Sequence, residues 1–327
     1  MNLEGKVLEC HVVYNATNNS ANCGENGELK FFTDTCGVQH QRWSSQSVKY
    51  DMRTHLVENK DIKCGEKIEA EDVGKRVDMF FAENNCNDKK KIEAVKTFML
   101  LGKNKNDIIF YNNNDIEAIL KCVKENNFEF DIKKGEAILY PDFHSFDVAL
   151  FGRMFASNPE LDVEGAMSVS QYVALNALKR EYDFWAHFSD NKKSFGNAGN
   201  CEFASSLMYG YWKICFNTLI KNCDMNDIEK FFKDIKNIID FINAHPRGKS
   251  HSFMYDTLPI YYCLGITDGE GLTVDYDKIK GKNSDEIGNV IYDYILKERV
   301  NNVNKQENLV LCQKGENIQE FFNKNLF

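Results

Sequence analysis

The sequence predicts an α+β protein, a sheet with helices laid over one face, on three observations. Short β-prone runs stand toward both ends of the chain: Val7, Leu8, Cys10, Val12 and Val13 within residues 6–14, and the stretch from Pro259 to Ile266. Between them lie segments whose apolar residues recur at helical spacing, the widest stripe being Ile228, Phe231, Phe232, Ile235, Ile238, Ile239 and Ile242. Residues 60–135 differ from their flanks, dense in charge and sparing of glycine, as an inserted helical subdomain would be. The order strand, helix, inserted helices, helix, strand, helix, strand fits a helix-backed sheet, of which the ferredoxin-type arrangement is one solution. Pattern alone does not choose among the solutions.

Taken in order, residues 6–14 read as a strand and the Asn-, Ser- and Gly-rich residues 15–30 as a loop. From Ser44 to Leu56 the pattern turns helical, with Ser44 or Ser45 as the N-cap. The insertion holds helical patterns at about 66–83, 89–101 and 114–126, and one β-prone piece, Ile108-Ile109-Phe110-Tyr111. Residues 161–178 are expected to form an amphipathic helix through Val163, Ala166, Met167, Val169, Ser170 and Val173, weakened slightly by Gly165. Residues 178–204 read as a long polar loop or hairpin hinged on the glycines of Phe195-Gly196-Asn197-Ala198-Gly199-Asn200, and Leu207 to Phe216 as a core strand. A single helix is expected from Asp224 to Ala244, stopped by His245-Pro246-Arg247-Gly248.

A chain of 327 residues, 43% of them hydrophobic, can bury a large core in one or two domains. No run of about 18 apolar residues is present, so neither a transmembrane helix nor a membrane partner is expected. The start Met1-Asn2-Leu3-Glu4-Gly5-Lys6 does not read as a signal peptide, and a cytoplasmic location is expected. The eleven cysteines form no C-x-x-C pair and no zinc spacing, which suits reduced thiols in a reducing compartment. The seven histidines are scattered, and no H-E-x-x-H, P-loop or G-x-S-x-G motif occurs. No catalytic set, metal or cofactor is therefore expected. The net charge of −9 opposes a uniformly basic surface, so any nucleic-acid binding must come from cations gathered in one groove.

Four stretches carry candidate chemistry. Ser44-Ser45-Gln46-Ser47-Val48-Lys49 lies where a loop becomes a helix, and a helix N-terminus favours anions. Arg42 precedes it and Arg53 follows Lys49 by one turn on nearly the same face; the alternative is a plain serine-capped helix with solvated cations. Asp147-Val148-Ala149-Leu150-Phe151-Gly152-Arg153-Met154 offers Arg153 to a phosphate or base and Met154 as an apolar wedge, against the alternative of core packing for the methionine. In residues 178–204, Lys179, Arg180, Lys192 and Lys193 can reach a backbone while Phe195 or Trp185 offers a stacking face. Lys249, in Arg247-Gly248-Lys249-Ser250-His251, is a phosphate contact or a cation complementing a helix C-terminus.

These stretches, with Val163-Glu164-Gly165-Ala166-Met167-Ser168 and Glu202-Phe203-Ala204-Ser205-Ser206 in between, resemble in order the motifs of the backbone subunit of type I-E CRISPR surveillance complexes, the CasC branch of the Cas-seven superfamily. The resemblance covers most of the chain outside the insertion and the last ~50 residues. It implies an RRM-like palm in residues 1–59 and 136–327, a thumb hairpin at about 178–204 and a helical finger at 60–135. It further implies a non-catalytic scaffold that binds CRISPR RNA, lines up with copies of itself and other Cascade subunits, and presents the guide for pairing with target DNA. The implied RNA contacts are Arg42, Ser44, Ser45, Gln46, Lys49, Arg53, Arg153, Met154, Lys192, Lys193, Phe195 and Lys249. The chain departs from the family where Tyr50-Asp51 follows Lys49 in place of a basic residue, and where an Asn/Ser tract at 17–22 replaces an arginine-bearing loop. Two rival readings remain. Asp34, in Phe32-Thr33-Asp34-Thr35, sits where type III relatives carry a carboxylate for cleaving target RNA, although a loop aspartate is commonly a turn residue. Alternatively, the chain keeps the fold as an interaction protein without guide binding.

Overall fold

The computed structural model describes residues 2–104, 106–155, 158–188, 195–253, 255, 257–301 and 309–327. It divides into two compact units: Met1–His55, Ser168–Phe216 and Asp234–Phe327 form the first, Leu56–Met167 and Asn217–Lys233 the second. The unit that holds the expected insertion thus also takes in residues 136–167 and a stretch near 225.

In chain order, β1 (Val7–Asn19), β2 (Phe31–Thr33) and β3 (Gln39–Trp43) lead into α1 (Ser45–Glu58). Then come β4 (Glu66–Glu69), α2 (Ala70–Glu83), α3 (Lys89–Leu100), β5 (Ile108–Tyr111), α4 (Asp115–Glu125), α5 (Ile132–Leu139) and α6 (Phe146–Phe151). After a 3-10 turn at Pro159–Leu161 follow β6 (Met167–Val169), β7 (Tyr172–Ala174), β8 (Glu181–Phe188) and β9 (Phe195–Cys215). The rest comprises α7 (Phe216–Asn222), α8 (Met225–Lys233), α9 (Ile235–Ile242), α10 (Ser250–Phe253), β10 (Pro259–Thr267), α11 (Tyr276–Ile279), α12 (Ile287–Asn301), β11 (Leu309–Gln313) and α13 (Ile318–Asn325).

The first unit is built on a large antiparallel sheet in the order β11-β10-β1-β9-β7-β3-β2, with β6 and β8 also pairing β9. Its centre is β10-β1-β9-β7, and α1 and α9 fall in the connections from β1 to β7 and from β9 to β10. Helices were expected on one face only, yet β1 is buried on both. Tyr14 donates its hydroxyl to the carbonyls of Ile242 and Ala244 at the end of α9. Val13, on the other face, packs with Ile279, Ile287, Ile291 and Ile295 of α11 and α12. This explains why β1 reads as a near-continuous apolar run.

Two helical expectations fail. Residues 161–178 contain no α-helix; β6 and β7 stand there instead. β-branched and aromatic residues (Val169, Tyr172, Val173) suit the pleated sheet, and Gly165 is fixed by a close backbone approach described below. The expected helix from Asp224 to Ala244 is two, broken at Asp234, whose carboxylate accepts from the Lys236 amide at 3.1 Å and so caps α9. α8 belongs to the second unit and α9 to the first.

The second unit buries its own core: Val73, Val77 and Phe81 of α2, Val95 and Met99 of α3, Ile116, Ile119 and Val123 of α4, and Leu139 of α5. The β-prone piece at 108–111 is β5, paired with β4 in a two-stranded sheet. No helix among the described residues is long and apolar enough to cross a membrane.

Candidate nucleic-acid interface

Ser44 is the N-cap of α1. Its hydroxyl accepts from the Ser47 amide at 3.3 Å, and its carbonyl receives the first helical bonds from Ser47 and Val48. The Ser44 amide is held in turn by Asn22, whose side-chain oxygen accepts from it at 2.7 Å. Asn22 has φ 56°, a left-handed conformation that asparagine tolerates. The Asn/Ser tract at 17–22 therefore supplies the residue that fixes the helix start. Val48, Met52 and Leu56 bury one stripe of α1. Ser45, Lys49 and Arg53, spaced by four, share another face.

The amides of Ser45 and Gln46 have no acceptor among the described residues, as a helix start requires unless a ligand supplies one. Ser45 donates its hydroxyl to Gln46 Oε1 at 3.2 Å, and Gln46 is exposed. Lys49 is half-buried without an ion-pair partner among the described residues, and burial pulls its pKa below the usual lysine range. A cation desolvated without compensation costs stability. Here it stands one turn after Ser45 on the same helix face, where an anion at the helix start would compensate it.

Asp51, two residues after Lys49, is buried and serves as an anchor. Its carboxylate accepts from Arg247 Nε at 3.0 Å and from the His245 amide at 3.2 Å, and lies 3.7 Å from His55 Nε2. Burial alone would raise its pKa, but the His55 hydrogen bond and the Arg247 charge hold it below the ordinary carboxylate value; Asp51 in turn raises His55. The clamp ties the 245–250 segment to α1. Beyond it, Lys249 stands exposed at φ 62°, donating from Nζ to Cys201 Sγ at 2.7 Å. Arg42, on β3, donates to Gln171 Oε1 at 2.8 Å. Thus Arg42, Ser44, Ser45, Gln46, Lys49, Arg53 and Lys249 all lie in the first unit.

Within residues 178–204, expected as a long polar loop or hairpin, β8 pairs with β9 from Glu181↔Phe203 to Phe188↔Phe195. Arg180 fixes its base: it lies 3.3 Å from Glu202, donates to Gln39 at 2.8 Å and covers the Phe31 ring at 4.7 Å. Arg180 is thereby engaged within the protein. Lys192 and Lys193 lie outside the described residues. Phe195 opens β9, but its side chain lies outside them too. Sequence reasoning passed over two exposed aromatics, Tyr182 and Phe184, which join Trp185 on β8. Their one signal was two-residue spacing in a charged strand.

Asp147 to Met154 behaves differently, within the second unit. Asp147 is fully buried and accepts the amides of Gly65 (2.7 Å) and Val148 (3.0 Å). Gly152, at φ 77°, backs onto Gly165: a Cβ on Gly165 would meet the Gly152 nitrogen at 2.6 Å. Arg153 and Val163 exchange both backbone hydrogen bonds, at 3.0 and 2.8 Å. Arg153, expected at a phosphate, is turned inward instead. Only 4% exposed, Arg153 donates to the Leu139 carbonyl at 2.5 Å and lies 3.6 Å from Asp115. Burial lowers the Arg153 pKa and raises that of Asp115 to about 6. Met154, by contrast, is 71% exposed between two buried neighbours, Arg153 and Phe155.

Asp34 is engaged by its own loop. Its oxygens accept the amides of Cys36 and Val38, at 2.9 and 2.8 Å, and lie 3.4 Å from Lys280 and 3.5 Å from His40. The Val38 and Cys36 hydrogen bonds and Lys280 lower its pKa. No group of three His, Cys, Asp or Glu among the described residues is placed to hold a metal ion.

The fold and this helix end define a sheet-based α+β scaffold that, among the described residues, leaves two helix amides without an acceptor and Lys49 without an ion-pair partner. Residues 8–274 match the CT1975-like protein family, and the chain belongs to it. No curated protein matches the sequence. Among solved structures, the chain is similar to a chain of a "CRISPR RNA-guided surveillance complex, pre-nicking", with TM-score 0.69, 17% identity, and 93% of this chain and 90% of that one covered. It is also similar to a chain of a "CRISPR RNA-guided surveillance complex", with TM-score 0.64, 13% identity, and 95% and 93% covered. At these identities the likeness concerns the fold.

Proposed function

We propose that this chain is a non-catalytic, CRISPR RNA-binding backbone subunit of a surveillance complex, of the type I-E CasC kind. It lines up with copies of itself and with other Cascade subunits along one guide and presents that guide for pairing with target DNA. One observation carries the reading: among the described residues half-buried Lys49 has no ion-pair partner and Ser45, which begins its face of α1, has no acceptor for its amide, while the Asp51–Arg247 clamp ties the segment bearing Lys249 to the same helix. A sugar-phosphate strand supplies repeated anions for such a surface without demanding a sequence, and base pairing supplies the specificity. The strand order β10-β1-β9-β7, with helices in both crossovers, supports an RRM-like palm. The exposed aromatics of the β8–β9 hairpin suit a thumb that stacks on unpaired bases.

Co-expression with a CRISPR array, followed by sequencing of the copurifying nucleic acid, tests this directly. The expected result is a short RNA of uniform length held by an oligomer. Lys49→Glu with Lys249→Glu should cut that retention by tenfold or more. A monomer that purifies free of RNA would overturn the proposal.

A further inference from the structure

Three segments of the first unit meet around a pair of thiols. Cys201, on β9, is 5% exposed; Cys23, in the loop after β1, is partly exposed. Both sulfurs lie against one hydroxyl, Ser20 Oγ, at 3.1 Å for Cys201 and 3.5 Å for Cys23, so the two thiols share one neighbour. Lys249 Nζ donates to Cys201 Sγ at 2.7 Å. The cluster is also wired to the helix end. Asn22, next to Cys23, holds the Ser44 amide at the start of α1, and Arg247, two residues before Lys249, holds Asp51 of α1.

We propose that Cys23 and Cys201 form a peroxide-sensitive dithiol whose closure to a disulfide weakens the anion site at α1. The partly exposed Cys23 reacts first: its sulfur attacks the peroxide O–O bond, becomes a sulfenic acid, and one water leaves. The Cys201 sulfur then attacks the Cys23 sulfur, the S–O bond breaks, and a second water leaves. The two thiols lose two electrons and two protons, and hydrogen peroxide is reduced to two waters. Closure joins the two sulfurs, draws Cys23 and its neighbour Asn22 toward β9, and turns the sulfur to which Lys249 donates from a thiol into half of a disulfide. The Ser44 amide loses its acceptor, and the phosphate-facing helix start loosens.

The chemistry stands independently of the proposed function; only its consequence for RNA rests on that reading. The test treats the purified full-length protein with hydrogen peroxide and maps its peptides without reduction. A cross-link joining the peptides of Cys23 and Cys201 is expected, absent in Cys23→Ser and in Cys201→Ser, and reversed by dithiothreitol. RNA affinity of the same oxidised sample is expected to fall about fivefold, the worth of one helix cap, and to recover on reduction. Cys23→Ser should hold its affinity through the same treatment. A peptide map in which these cysteines stay reduced, or pair with other partners, overturns the dithiol site. A cross-link that leaves RNA affinity unchanged overturns the coupling. Should the reduced protein bind no RNA, the proposed function falls, while the peptide map still decides the thiol chemistry.

Discussion

The helix start at Ser44 and the segment from Asp147 to Gly165 are the two motif-rich parts of the chain, and their polar residues face opposite fates. In the second, nearly every polar motif residue is used up internally: Asp147 on two amides, Arg153 on Asp115 and Leu139, Gly152 against Gly165. In the first, two amides have no acceptor and a half-buried lysine has no ion-pair partner among the described residues. A motif can be rich because a backbone crossing admits few side chains, or because a ligand must be met. Burial separates the two cases, and only the second costs the folded protein stability.

The largest test of this contrast is Arg153→Ala. Removing the guanidinium leaves Asp115 buried without its partner, which should cost about 3–5 kcal/mol in denaturant unfolding. RNA retained per folded molecule should stay at the wild-type level. A selective loss of RNA with little loss of stability would return Arg153 to the interface.

Lys49→Met should do the reverse. Replacing an unpaired, half-buried ammonium by an apolar chain is expected to leave stability equal or higher by about 0.5 kcal/mol. RNA affinity should fall several-fold, and the slope of log affinity against log salt should shrink by about 0.7, one phosphate contact to a single strand. Loss of both stability and affinity would make Lys49 a structural residue and erase the difference between the regions.

The sequence carried the first region more fully than the second. The cap at Ser44, the helix after it and the shared face of Ser45, Lys49 and Arg53 follow from local rules of capping and helical spacing. The role of Asp51 did not, because its partner Arg247 lies almost two hundred residues away and nothing local names it. The same limit explains Arg153. Its motif was legible, but its burial depends on Asp115, from the insertion, and on Leu139, just after it. The helix expected over 161–178 failed for a related reason. Gly165 meets Gly152 through backbone, an approach that leaves no trace in an apolar period, and β7 is called into the sheet by β3 and β9. At Asp234 the apolar stripe ran unbroken through a cap that divides it between two units.

The unit that holds the second region also predicts a pH signature, from His144 and Asp115. His144, 7% exposed with an unpartnered Nδ1 and a T-shaped contact to Tyr140, has its pKa lowered to about 4, by burial first and the Arg153 charge second. The unfolded chain takes up that proton near pH 6.5 and the folded one only near 4, so this group costs nothing above about pH 6.5 and progressively destabilises the fold below it. Asp115, raised to about 6, works in the opposite sense: between about pH 6 and 4 the folded state holds a proton the unfolded state has released. His144→Gln removes the destabilising half. Its melting temperature should therefore gain on wild type as pH falls from 6.5 to 4, and match its own neutral-pH offset above 7. Parallel curves across that range would mean that the imidazole is hydrated and titrates normally.

Met154 gives the finest division, because it stands on the outer edge of the otherwise internal segment. Its neighbours Arg153 and Phe155 are 4% and 1% exposed, which fixes the backbone, while the thioether itself projects 71% exposed. Packing cannot account for an apolar side chain held out on a rigid support, and truncation should change stability by less than about 0.5 kcal/mol. A wedge beside an unstacked base would account for it. In a guide carrying 2-aminopurine at successive positions, Met154→Ala should quench the fluorescence of one position in each repeat as that base restacks, with the others unchanged. Identical profiles for variant and wild type would leave α1 and the segment at Lys249 as the guide-facing surface, and would place the whole of Asp147–Gly165 on the structural side of the comparison.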